Sequence, residues 1–305
     1  MKKLNVLCVA NKKYINPMKV FLYSLFEHHE IPVDVYVLHA DIDDETLENL
    51  EKYCRHWQEK RLIPMQVNLD ELTDLYATAD FPTEVYLKLL CADILPDEVK
   101  KVLCLDLDMV VNKSLETLYE TDITGYPLAA CKDIYGYIYG EGTRNHARLG
   151  LGSRYTYFNA GMMLLNLEYM RDGGWGWRML EFARRNRDCL KWLEQDVMNC
   201  FWVDKYLQVN WHEYNCPPVM YVMKPSDVAA GKIAPLYQAD LPGIASFEEY
   251  ADYTLALCDN ASIIHYIGET KPWNVNRAQS NTYAIFDRYY NCYEKAAEDI
   301  WGKSV

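Results

Sequence analysis

The sequence predicts an α/β protein, with a mostly parallel central sheet flanked by helices, irregular C-terminal segments and a terminal helix. Strand-like and helix-like patterns alternate from Leu4 to Leu105, which favours a parallel sheet with covering helices. Half of the 305 residues are apolar, enough to bury a sizeable core. No repeat or low-complexity linker interrupts the chain, so one continuous domain with appended segments is the expectation.

Leu4 to Ala10 reads as a buried first strand, followed by a helix from Pro17 to His29 and a second strand, Val33 to His39. Asp41-Ile-Asp-Asp-Glu45 is an acidic start signal for a helix running towards Trp57, and Leu62 to Asn68 is a third strand. Pro82 to Leu95 repeats apolar residues at helical spacing, with Pro96 closing it. Lys101 to Leu105 makes a fourth strand that delivers Asp106 and Asp108 at its carboxyl end, where open α/β sheets bind ligands. Leu128 to Lys132 and Tyr157 to Asn166 read as strands. Between them Tyr135 to Arg154, rich in Gly, Tyr and Arg, reads as a loop that could serve as an acceptor-side lid. Helices are expected over Trp175 to Arg187 and Gln195 to Trp202, and irregular chain from Asn210 to Asp259. Ser262 to Tyr266 is a short strand carrying His265, and Thr282 to Trp301 a final helix with an aromatic face.

The net charge of −13, from 31 basic and 44 acidic residues with no basic stripe, argues against nucleic acid and anionic membrane surfaces as partners. Leu4 to Ala10 is too short for a signal peptide's apolar region or a membrane span, and no other stretch is long enough to span. The ten cysteines are scattered singly, which reads as reduced core residues of a cytoplasmic protein. The terminal helix lacks a basic face, so its aromatics suit packing on the body or a homodimer contact better than a membrane surface.

The strongest chemical feature is Val102-Leu-Cys-Leu-Asp-Leu-Asp-Met-Val-Val111. Strand alternation would place both aspartates on one face, where they repel unless a hard cation such as Mn²⁺ or Mg²⁺ lies between them. An isolated Asp-x-Asp is as often a solvated turn. In His265-Tyr-Ile-Gly268-Glu-Thr-Lys271-Pro-Trp273 an imidazole leaves a strand before a glycine turn and a lysine able to meet phosphate charge. A lone histidine is more often a hydrogen-bonded core residue; its combination with Asp106 and Asp108 points to a metal.

In this order Leu105-Asp-Leu-Asp-Met-Val, Tyr157-Phe-Asn-Ala-Gly-Met-Met-Leu-Leu-Asn166, Glu194-Gln-Asp-Val-Met-Asn199 and His265-Tyr-x-Gly-x-x-Lys-Pro-Trp273 resemble a family 8 glycosyltransferase, a group of retaining enzymes that includes glycogenin. The resemblance implies a Rossmann-like GT-A catalytic domain over residues 1–273 with residues 274–305 as a helical tail packed on it. It implies a UDP-sugar donor and a carbohydrate or glycoconjugate acceptor. It also implies Mn²⁺ (or Mg²⁺) on Asp106, Asp108 and His265, with Gly268 and Lys271 at the diphosphate. Asp133, Asn159 and Gln195 would surround the transferred sugar, beside a wall kept thin by Ala160 and Gly161; Ala10, Asn11, Tyr14, Lys88 and Leu107 complete the donor site. Asn11 and Lys13 stand where relatives carry acidic residues for the uracil, Lys88 where an arginine is usual, and Glu194 where aspartate is common.

Breaking a sugar–phosphate bond builds negative charge on the leaving diphosphate, so catalytic effort belongs there. Retention proceeds through a short-lived ion pair or a covalent glycosyl-enzyme; Gln195 is a poor nucleophile, and Glu194 keeps the covalent route open. Asp106-Leu-Asp108-Met-Val also fits the nucleophile strand of haloacid dehalogenase-type phosphatases, although that motif normally ends a first strand and gives His265 no role. A non-catalytic or self-glycosylating protein is a third reading.

Overall fold

Strand β1 (Leu4–Val9) sends Leu4, Val6 and Cys8 to one face of the sheet and Leu7 to the other, all buried, as a strand covered on both sides must. A computed structural model describes residues 3–78, 82–134, 141–218, 247–268, 271–274 and 281–304. β2 (Val33–His39) is buried along its whole length and pairs parallel with β1 and with β3 (Lys60–Gln66), an edge strand that tolerates Pro64. On the other side of β1 lies β4 (Lys101–Leu105), also parallel. With β6 (Leu128–Lys132), β7 (Phe158–Asn166) and β8 (Leu207–Val209) the sheet has seven strands in the order β3-β2-β1-β4-β7-β6-β8. β7 runs antiparallel to both neighbours and the other six strands share one direction, so the mostly parallel sheet expected from the sequence is present.

Helices cover both faces. On one face α1 (Ile15–Glu27) and α2 (Asp44–Cys54) bury Met18, Phe21, Leu22, Leu50 and Tyr53 against Val6, Val35 and Leu103. Asp43 caps α2 by accepting from the Thr46 N–H at 2.8 Å, with Asp44 and Glu45 in the first turn. The helix stops at Cys54, short of Trp57, whose ring turns inward against Tyr23, Phe26 and Tyr53. The other face carries α3 (Leu87–Ile94), which follows a 3₁₀ turn at Thr83–Tyr86. It also carries α6 (Leu167–Gly173), α7 (Trp175–Arg185) and α8 (Leu193–Trp202). The first face also carries α4 (Glu116–Tyr119) and a small antiparallel sheet of β5 (Met109–Val111) with β9 (Ile263–His265), and Leu149 of α5 (Glu141–Leu149) packs on the second. A helical turn, α9 (Trp211–Tyr214), follows β8, and α10 (Phe247–Asn260) precedes β9.

Several segments differ from the sequence expectation. Part of the Tyr135 to Arg154 segment is helix α5, fixed by tertiary bonds from Arg148 and not by apolar periodicity; residues 135–140 lie outside the described residues. The irregular chain expected from Asn210 to Asp259 contains helix α10, and residues 219–246 lie outside the described residues. All ten cysteines are free thiols, yet Cys189 and Cys292 are exposed and so are not core residues. The final helix, α11 (Asn281–Ser304), lies across α1 and α2: Tyr293 packs on Tyr23 and His28, and Trp301 on Tyr53 under the Lys19 ammonium. The side chains of Ile285 and Phe286 lie outside the described residues. Among the described residues no helix is long and apolar enough to cross a membrane.

Candidate functional site

β4 ends at Leu105, and Asp106 to Asp108 form a turn leading into β5. Strand alternation therefore does not bring the two aspartates together, as the sequence suggested; the turn does, pinned by Leu107, which is buried in the core. β5 pairs with β9 so that Met109 faces His265, and the Tyr266 N–H donates to the Asp108 carbonyl at 2.9 Å. One ligand atom from each of Asp106, Asp108 and His265 then lies within 4.8 Å of the others. Gly268 takes φ +106°, a conformation glycine adopts freely, on the way to Lys271. Lys271 Nζ donates to Asp108 Oδ2 at 2.5 Å and to the Tyr266 carbonyl at 2.8 Å. Burial pushes the Asp108 carboxyl up, but Lys271 and then His265 outweigh it and hold the group far below the usual carboxylate range.

The donor set fits a divalent cation. The buried Oδ1 of Asp108 accepts no hydrogen bond among the described residues, and Nε2 of His265 lies 3.0 Å from it. Two carboxylates suit a divalent cation in charge, and the imidazole favours one that accepts nitrogen beside oxygen.

A second wall is built from Lys88 on α3 and Glu194 on α8. Lys88 Nζ sits 2.7 Å from Asp106 Oδ1 and 3.1 Å from Glu194 Oε1, and donates to the Ala160 carbonyl at 3.3 Å. Burial disfavours its charge, yet Asp106 and then Glu194 keep the ammonium well above its ordinary pKa. Burial pushes the Glu194 carboxyl up, with Lys88 opposing and Asp106 adding to it.

Asn159, Ala160 and Gly161 lie where β7 loses its regular register. Between the pairs Ala130↔Met163 and Lys132↔Phe158, β6 advances two residues while β7 advances five. Such an irregularity re-aims side chains beside a site. Here it puts Phe158 and Ala160 on the same face as Met163 and Leu165. The Asp106 N–H donates to the Gly161 carbonyl at 2.9 Å, which ties this segment to the end of β4. Gln195 Oε1 accepts from the Ala160 N–H at 2.8 Å and from Asn159 Nδ2 at 3.1 Å, while its Nε2 lies 3.4 Å from both Asp133 Oδ2 and the Tyr157 hydroxyl. Asn159 Oδ1 accepts from the Gly161 N–H at 3.0 Å and from Asn215 Nδ2 at 3.1 Å.

Behind Gln195, Asp196 is fully buried; it takes a bidentate pair from Arg148 at 2.7 and 2.8 Å and the Tyr157 hydroxyl at 2.7 Å.

Ala10, Asn11 and Tyr14 stand at the carboxyl end of β1, the strand beside β4. Ala10 is buried, Asn11 caps a short turn through the Lys13 N–H, and Tyr14 meets Trp273 edge-on at 6.1 Å. The sequence reading passed over Asn215, Tyr157 and the Arg148–Asp196 pair, whose partners lie far along the chain.

The fold is GT-A: the galactosyltransferase LgtC, solved with donor and acceptor sugar analogs, superposes with a TM-score of 0.72 at 19% identity, covering 98% of this chain and 96% of LgtC. Over residues 5–277 the chain matches glycosyl transferase family 8, and it belongs to that family. Glycosyltransferase GlyA of Streptococcus pneumoniae serotype 4 (strain TIGR4) is 25% identical over 295 residues, 96% of this chain and 35% of GlyA. Lipopolysaccharide 1,2-glucosyltransferase of Escherichia coli K12 is 24% identical over 272 residues, 89% of this chain and 73% of that enzyme. The chain spans 35% of the length of GlyA and 57% of that of GlyF, another S. pneumoniae relative. Family membership, together with an Asp-x-Asp that follows the fourth strand instead of the first, sets aside the phosphatase reading.

Proposed function

We propose that this chain is a retaining hexosyltransferase that moves glucose or galactose from a UDP-sugar to a hydroxyl of a carbohydrate or glycoconjugate acceptor, with Mn²⁺ or Mg²⁺ held by Asp106, Asp108 and His265. The observation that carries the reading is the convergence of those three residues around a buried carboxylate oxygen with no hydrogen bond among the described residues. When bound, the cation would offset the negative charge that develops on the leaving diphosphate. Lys271, reached through Gly268, would add positive charge to that end of the donor, and Ala10, Asn11 and Tyr14 would seat the nucleoside. Asn159, Gln195 and Asp133 would hold sugar hydroxyls.

In the reaction the anomeric C–O bond breaks with its electron pair going to the diphosphate oxygen. The acceptor oxygen then bonds to the anomeric carbon from the same face and passes its proton to the diphosphate. Glu194, buried and engaged by Lys88, suits electrostatic support better than attack, which favours the ion-pair route. Residues 1–273 would form the catalytic unit and the helix beyond it a tail, working in the cytoplasm where nucleotide sugars are made.

The test is a binding and hydrolysis screen against UDP- and GDP-sugars with and without Mn²⁺, run beside Asp108→Ala. Manganese-dependent UDP release from one donor, lost in the variant, is the expected result. No nucleotide-sugar binding under any metal would overturn the reading.

A further inference from the structure

Asn215 is buried at the end of α9 with its side-chain amide wedged between two parts of the site. Its Oδ1 lies 2.7 Å from Nδ1 of His265, and its Nδ2 donates to Asn159 Oδ1 at 3.1 Å. Backbone groups fix the sense of this chain of amides. Gln195 Oε1 takes the Ala160 N–H, so it is the acceptor, and the Asn159 atom facing it must be the NH₂ group. Asn159 Oδ1 takes the Gly161 N–H, so the Asn215 atom facing it must be a donor. Asn215 therefore presents its oxygen to His265, and Nδ1 of the imidazole carries the proton. In the neutral ring the other nitrogen, Nε2, then carries the lone pair, and it lies 3.0 Å from Asp108 Oδ1. A second ring proton can bridge those two atoms in the absence of metal, and a divalent cation can take its place.

We propose that Asn215 is a positioning residue for the metal corner: it locks His265 in the tautomer whose Nε2 binds metal, and it joins that histidine through Asn159 to the Gln195 amide. The proposal rests on the metal reading of Asp106, Asp108 and His265. Removing such a partner behind a ligating histidine typically weakens metal binding by about 10–100-fold. The link to Asn159 adds that any group displacing the Asn159 amide also disturbs His265, so the sugar end and the metal end of the donor are sensed together.

The experiment titrates Mn²⁺ into wild type, Asn215→Leu and Asn215→Asp by electron paramagnetic resonance. It also reads the His265 tautomer in wild type by long-range ¹H–¹⁵N NMR at alkaline pH, with the signal assigned through His265→Asn. Asn215→Leu, which loses both bonds, is expected to weaken Mn²⁺ binding about 10–100-fold. Asn215→Asp keeps an acceptor for Nδ1–H but sets a carboxylate against Asn159 Oδ1, so it is expected to retain Mn²⁺ while weakening nucleotide-sugar binding. The wild-type tautomer carries its proton on Nδ1, a readout that needs no variant to fold. A neutral ring with its proton on Nε2 in the metal-free wild type, or equal Mn²⁺ affinity in the wild type and Asn215→Leu, overturns this proposal alone. Absence of Mn²⁺ binding by the wild type overturns the metal reading beneath it.

Discussion

Gly161 leaves His265 the room its ring occupies. A methyl group on the Gly161 Cα would overlap Cε1 of His265, and would also lie 2.9 Å from Asn159 Oδ1 and 3.0 Å from Asp106 Oδ2. The thin wall inferred from the sequence for the sugar thus also leaves room for the His265 ring beside Asp106. Gly161→Ala should move His265 away from Asp108, cost about 1–3 kcal/mol of stability as overpacking does, and shrink the rise in Tm that Mn²⁺ confers. Thermal unfolding with and without Mn²⁺ checks this; an undiminished metal-dependent rise would contradict it.

Lys88 stands between two carboxylates, with only a few per cent of its side chain exposed. Lys88→Met should leave Asp106 and Glu194 without their shared cation and cost about 3 kcal/mol. Adding Glu194→Gln removes one of the stranded charges and should recover part of that loss. Urea unfolding of the two single variants and the double variant gives the coupling directly.

Arg148→Ala should act on α5 and on the support behind Gln195. The buried Asp196 carboxylate would lose its bidentate partner, keeping the Tyr157 hydroxyl and the N–H groups of Lys191 and Trp192. If α5 belongs to a lid that excludes water, the fraction of donor hydrolysed rather than transferred should rise in the variant. Chromatography of free sugar against glycoside product measures that fraction.

Asp287 gives the chain a pH-dependent cost. Burial, with Glu294 adding to it, pushes its carboxyl from 3.8 up to about 6, and its Oδ1 has no hydrogen-bond partner among the described residues. The folded state therefore binds this proton more tightly than the unfolded chain does. The stabilising contribution is full below the unfolded value and is lost as pH rises from 3.8 to about 6. Asp287→Asn should raise unfolding free energy by on the order of 1–2 kcal/mol at neutral pH and change little below about pH 4. Urea unfolding at both pH values decides it; an equal gain at both would show that the carboxylate's charge is not the cause.

Much of the fold is legible in the sequence because its buried strands are short apolar runs between turn signals. Val33–His39, Lys101–Leu105 and Leu128–Lys132 have the same limits in the structure as in the sequence reading. The reading failed where order comes from distant partners. Helix α5 holds few apolar residues to set a period, and Arg148 fastens it to Asp196 on α8. Asp106 and Asp108 were rightly paired for the wrong reason, since a turn and not a strand aligns them. His265 and Lys271 were read from their own chemistry, Lys88, Asn159 and Gln195 through a family pattern; in the structure His265 and Lys271 meet Asp108, Lys88 meets Asp106, and Asn159 and Gln195 bond the segment that holds the Asp106 N–H. Asn215 left no local signal: its two partners stand 50 and 56 residues away, and its neighbours read as irregular chain.

The pairing of β5 with β9 has a consequence for how the protein comes into being. Lys271 and Asp108 are 163 residues apart, yet the corner they share is closed by that pairing. During synthesis β1 to β4 can dock on one another long before β9 has left the ribosome. A chain halted before Ile263 could thus hold most of a sheet and still lack the histidine. A cation held by all three of Asp106, Asp108 and His265, as proposed, would therefore need a chain already translated past β9, so the order of synthesis would set the earliest moment at which the site could fill.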